Sequence, residues 1–130
     1  VPQSTQYMSD HLLLGRKGER VAQQYLEDKG YQVLAANWRF SRAEIDLVVK
    51  KENLLVFVEV KTRSSVSARF GRPEDAVNAH KVKHLGEAAA AYMRAHNYQW
   101  MFRFDIIGVR MNPSGRYTIR HLEDAFFPGL

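Results

Sequence analysis

Apolar and polar positions along the chain follow two rhythms, each predicting a kind of element. From Leu12 to Lys29 the apolar residues Leu14, Val21, Ala22, Tyr25 and Leu26 recur at helical spacing, and Gly30 supplies a stop. Gly15 and Gly18 sit inside this helix, where each costs roughly 1 kcal/mol relative to alanine. Their expected use is close approach to another backbone. Tyr31 to Trp38 alternates as a strand, and residues 37–43 follow as a basic, aromatic loop. Two β-branched runs, Glu44–Lys50 and Leu54–Thr62, flank the polar break Lys51-Glu52-Asn53 and predict a β-hairpin. Pro73 suits the first turn of a second helix, whose buried stripe is Val77, Leu85, Ala88, Ala89, Tyr92 and Met93, ending near His96. Trp100–Arg110 and Tyr117–Leu122 read as strands around the turn Asn112-Pro113-Ser114-Gly115. The order αβββαββ implies an α/β domain over residues 12–130, a mixed sheet flanked by helices, after a flexible segment 1–11.

The hairpin carries the chemistry. With Glu52-Asn53 as its loop, Lys51 faces Leu54, Asp46 faces Glu59 and Glu44 faces Lys61. Alternation then puts these four charged groups on one face, leaving Ile45, Leu47, Val49, Val56, Val58 and Val60 on the other. Like charges directly opposite one another destabilise a sheet. A divalent cation reverses that sign, since hard ions take carboxylate oxygens, and Lys61 beside Glu59 completes a carboxylate, carboxylate, lysine constellation. The competing reading is a solvated strand end with a Glu44–Lys61 surface pair. Glu19, at the edge of the first helix's inward side, also needs a partner: the hairpin's charged end through a metal, or Arg16 or Arg20.

Basic residues surround these acids. Arg39 and Arg42 belong to the aromatic loop, where arginines and rings together hold phosphates and stack on bases; the alternative is a loop that anchors Trp38 in the core. Arg63, Arg69 and Arg72 lie in the small, polar segment Thr62–Pro73 and are placed to clamp a phosphate backbone, or to solvate a linker. Lys81, Lys83 and Arg94 mark the exposed side of the second helix. His80 and His84 stand four apart, the spacing at which two imidazoles share a helix face. Lysines flank them, and the adjacent glutamate of a zinc-protease motif is missing, so they read as surface histidines.

Composition narrows the class. Of 130 residues, 45% are hydrophobic, enough for a real core in one domain. Nineteen Lys+Arg against fourteen Asp+Glu give a net charge of +5, which favours a polyanionic partner or serves solubility. The absence of cysteine excludes disulfides and thiolate metal sites. No apolar run approaches the ~20 residues of a membrane span or a signal-peptide core. A soluble cytoplasmic protein is the expectation.

Glu44-Ile45-Asp46 followed by Phe57-Val58-Glu59-Val60-Lys61-Thr62-Arg63 resembles the metal-binding core of the PD-(D/E)xK nuclease superfamily, with its restriction-endonuclease-like fold. Gly15-Arg16-Lys17-Gly18-Glu19, Asn37-Trp38-Arg39, the hairpin, Lys81 and Arg103-Phe104-Asp105 together are similar to the YraN-type family, a relative of archaeal Holliday-junction resolvases. The resemblance covers about Leu14 to Val109. It implies a Mg²⁺- or Mn²⁺-dependent endonuclease acting on DNA, branched DNA included, with Asp46, Glu59 and Glu19 as metal ligands. Lys61 would position or activate the attacking water and Glu44 would support it. Arg39, Arg42, Arg63, Arg69, Arg72 and Lys81 would hold nucleic acid. It further implies a homodimer, as two symmetric cuts require. The alternative is a non-catalytic nucleic-acid-binding or scaffold protein that keeps the fold. One departure is Ala43, where the family usually has glycine; if that position needs φ > 0, the entry loop differs.

Overall fold

The computed structural model describes residues 2–64 and 78–128, with side chains from residue 12 onward. Its elements are α1 (Pro2–Asp28), β1 (Gln32–Phe40), β2 (Ala43–Lys51), β3 (Leu54–Ser64), α2 (Ala79–Ala95), β4 (Met101–Met111) and β5 (Tyr117–Leu122). This is the expected order, αβββαββ. The five strands lie in chain order across one mixed sheet: β3 and β4 are parallel and every other neighbouring pair is antiparallel. Parallel neighbours cannot be joined by a hairpin, and α2 lies in the crossover between them.

The helices cover opposite faces. Ala22 and Leu26 of α1 pack on Leu47, Val49, Val56, Val58, Ile107 and Val109. Leu85, Ala88, Ala89 and Tyr92 of α2 pack on Ile45, Val48, Leu55, Phe57 and Phe104. Central strands covered on both sides read as continuous apolar runs, hence the sequences Leu54–Val58 and Ile106–Val109. Among the described residues no helix is long and apolar enough to cross a membrane.

Several boundaries differ from expectation for local reasons. Helix α1 reaches back to Pro2 rather than starting at Leu12; proline suits a first turn because the N–H it lacks would be unpaired there. Strand β1 continues to Phe40, pairing Phe40 with Ala43, so residues 37–40 are strand and only Ser41-Arg42 turn, with Ser41 at φ 56°. Ala43 has no positive φ. It is buried in the α2-side core, so the methyl group packs there without backbone strain. Helix α2 begins at Ala79, and the Asn78 side chain accepts a hydrogen bond from the Lys81 amide at 2.9 Å as its cap. Pro73 and Val77, assigned to that helix, and Arg69 and Arg72 lie outside the described residues.

The two glycines of α1 separate. A Cβ at Gly18 would lie 1.7 Å from Thr62 Oγ1, whereas one at Gly15 would meet nothing within 4 Å. Only Gly18 therefore lets α1 settle onto β3. Gly18→Ala is expected to destabilise the fold by about 1–3 kcal/mol through overpacking, while Gly15→Ala is neutral or gains up to ~1 kcal/mol of helix propensity. Urea midpoints of the two variants check this; equal stabilisation by both would refute the close approach.

Candidate metal centre

The hairpin has the expected register from Lys51↔Leu54 through Leu47↔Val58. Beyond that pair the two strands part, and the Asp46 carboxylate accepts a hydrogen bond from the Val60 amide at 2.7 Å. A side chain has replaced a rung of the ladder. The alternation of β2 breaks at the same point: Ile45 joins the α2-side core, and Leu47 joins the α1-side core. Glu44, Asp46 and Leu47 thus all face α1.

The four charged groups consequently do not share one face. Glu44 and Asp46 converge with Glu19 of α1, and one oxygen from each of the three lies within 4.8 Å of the others. Glu59 turns toward α2, where the Lys81 ammonium pairs with it at 3.2 Å. Its carboxyl stays near enough to Asp46 for the two charges to interact. Lys61 lines the cleft of about 490 Å³ that holds Glu19, Glu44 and Asp46, together with Arg39 and Arg63.

Electrostatics follow from crowding acids in a half-buried place. Burial and the neighbouring Glu59 charge push the Asp46 carboxyl up to about 8. Burial, then the Asp46 charge, raises Glu19, while a hydrogen bond from Asn37 opposes the shift. Glu59 is raised by burial against the pull of the Lys81 cation. Burial lowers Lys61, and the Arg63 and Lys81 charges lower it further, against Glu59 and Asp46. Glu59 Oε2 is buried with no hydrogen-bond partner among the described residues. Three converging carboxylates and an orphaned carboxylate oxygen, close to acids that resist ionising together, form a donor set suited to a hard divalent cation.

The basic residues named from the sequence take different places. Arg39 is exposed but pairs with Glu44 at 2.9 Å, and Lys81 is engaged by Glu59. Arg42 sits at the exposed β1–β2 turn, and Arg63 Nη1 donates to the Thr62 carbonyl at 3.0 Å. Asn37 is the residue sequence reasoning missed. Its amide donates to Glu44 at 2.7 Å and to both oxygens of Glu19 at 3.3 Å, bridging helix and sheet from a left-handed backbone at φ 52°. Asparagine tolerates that conformation better than most side chains, and the family-like run Asn37-Trp38-Arg39 is the other sequence signal that pointed to it.

The sequence pattern of the uncharacterised protein family UPF0102 matches residues 18–109. A UPF0102 protein of Bacteroides thetaiotaomicron is 45% identical over 123 residues, covering 95% of this chain and 99% of that one. One from Flavobacterium psychrophilum is 43% identical over 120 residues, covering 92% and 98%. One from Caldanaerobacter subterraneus is 42% identical over 116 residues, covering 87% and 93%. Among solved structures, Pyrococcus furiosus SfsA in complex with Ca²⁺ aligns with a TM-score of 0.39 at 14% identity; the match covers 87% of this chain and 63% of that one. With the family pattern spanning most of the chain and relatives matching over nearly their whole length, this chain belongs to the UPF0102, YraN-type family.

Proposed function

We propose that this protein is a metal-dependent endonuclease that hydrolyses phosphodiester bonds in DNA, branched DNA included, as a homodimer using Mg²⁺ or Mn²⁺. The observation that carries the reading is the convergence of Glu19, Glu44 and Asp46 in a cleft that also presents Lys61. Asp46, Glu19 and Glu44 would hold the ion, with Glu59 near enough to Asp46 for their charges to interact. A bound divalent ion supplies acidified water and neutralises charge on the phosphoryl oxygens.

The chain's own groups do the rest. Asn37 fixes the directions of Glu19 and Glu44. Lys61, its pKa lowered by burial, exchanges a proton nearer neutrality than a free lysine and lies where it can orient water or steady a phosphate oxygen. Arg39 and Arg63 line the same cleft and bring cations to a polyanion.

Cleavage of linear, flapped and four-way-branched DNA with Mn²⁺ tests the reading. Wild type is expected to cut, most readily at branches, and Lys61→Ala to cut about 100-fold or more slowly. Equal rates for the two proteins would remove Lys61 from the mechanism. DNA binding by wild type with no cleavage in any metal would leave the non-catalytic binding protein as the correct reading.

A further inference from the structure

Helix α2 carries a second group of ligands, separate from the acid cluster. His80 and His84 turn their rings toward one another, with centroids 4.4 Å apart, planes at 85° and Nε2 atoms separated by 3.1 Å. Two neutral imidazoles facing through the same nitrogen cannot both donate. One Nε2 must offer a lone pair, and the pair lacks only an electron-pair acceptor to engage both. Glu87, one turn on, sets its Oε2 3.7 Å from His84 Nδ1. That negative charge, at ion-pair rather than hydrogen-bond distance, favours the proton on Nδ1 and so the Nε2 lone pair directed at His80, in the sense by which an outer carboxylate favours a metal-binding tautomer.

The spacing fits an ion. With metal–nitrogen bonds of about 2.0–2.1 Å, two nitrogens on a tetrahedral centre stand roughly 3.3–3.4 Å apart, a few tenths from the observed separation. The neighbouring Lys81, whose charge counts against a metal in the bare sequence, has its ammonium on Glu59. His80 is exposed and the His84 side chain keeps 20% of its surface, so an ion has access.

We propose that His80 and His84 form a two-imidazole site for a nitrogen-preferring divalent ion such as Zn²⁺, Ni²⁺ or Cu²⁺, with Glu87 as the residue that sets the His84 tautomer. Mg²⁺, which takes oxygen ligands, is not a candidate here. The inference stands apart from the nuclease reading, because it concerns other residues and another class of ion.

The test titrates the untagged full chain with Zn²⁺ and Ni²⁺ by calorimetry, in excess Mg²⁺ to occupy oxygen sites. Circular dichroism establishes that each variant is folded. Wild type and Asp46→Asn are expected to bind one equivalent alike. His80→Ala, a change at an exposed position, should bind at least tenfold more weakly, and Glu87→Gln about tenfold more weakly. Zinc binding unchanged in His80→Ala, binding lost in Asp46→Asn, or no binding by wild type would overturn the proposal and leave the pair as an N–H···N hydrogen bond.

Discussion

Replacing Asp46 by asparagine is expected to abolish metal-dependent stabilisation and slow cleavage roughly a thousandfold, equivalent to about 4 kcal/mol, while making the metal-free protein more stable at pH 8. Asparagine keeps an oxygen for the Val60 amide and removes a charge that burial and Glu59 oppose. The folded protein holds the Asp46 proton up to about pH 8, whereas the unfolded chain releases it near 3.8. Over that window the folded state binds more protons, so stability of the wild type in chelator falls as pH rises. A tenfold difference in proton affinity between the folded and unfolded states is worth about 1.4 kcal/mol, which puts the decline at a few kcal/mol. Divalent ions compete with protons for the same oxygens, so the rise in Tm with Mn²⁺ should be larger at pH 8.5 than at pH 6. Thermal melts of both proteins from pH 5 to 9, with EDTA and with Mn²⁺, read all of this. The same slope in wild type and variant would mean that Asp46 does not carry the proton.

What the sequence could disclose about this site ended where local rules ended. Period-two alternation and the Glu52-Asn53 break are enough for the hairpin register through Leu47↔Val58. They are not enough for the next two residues, because a carboxylate in place of a backbone partner is a tertiary choice that no alternation rule encodes. Hence alternation puts Ile45 in the wrong layer, and Glu59 on the face of Asp46 rather than the side of Lys81. The buried stripe of α2 is legible at Leu85, Ala88, Ala89 and Tyr92, since helical spacing is local. Asn37 is not, since its bonds run to Glu19 and Glu44 across two other elements. A close approach by α1 is legible in its glycines, but only the position of Thr62 tells Gly18 from Gly15.

The same division between near and distant partners governs the strongest structural prediction. Arg103 and Asp105, two apart on β4, pair as their spacing suggests, through Nε at 2.7 Å and Nη2 at 2.8 Å. Asp105 is fully buried and also accepts from His121 Nε2 at 2.7 Å and from the Asp124 amide at 3.0 Å. Burial alone would raise its pKa; the bonds from His121, Arg103 and the Asp124 amide outweigh it and hold the group below its ordinary value. The chain of contacts continues through His121 Nδ1 to the Tyr25 hydroxyl at 3.0 Å, which also accepts from Lys29. Helix α1 is thereby pinned at Tyr25, two turns beyond Gly18, and Glu19 stands between the two anchors. Asp105→Ala takes the bidentate partner from the half-buried Arg103 guanidinium, which keeps Tyr31 and Glu123, and the acceptor from His121, and should cost about 2–3 kcal/mol. Because the Asp105 pKa is depressed, this stability is present above the unfolded value of 3.8 and is lost as pH falls through the folded one. Urea unfolding at pH 7 and pH 3 should therefore show a gap between wild type and variant that narrows in acid. A loss below about 1 kcal/mol at pH 7, the level of a single ordinary hydrogen bond, would show that the network does not hold α1, and Glu19 would need another anchor.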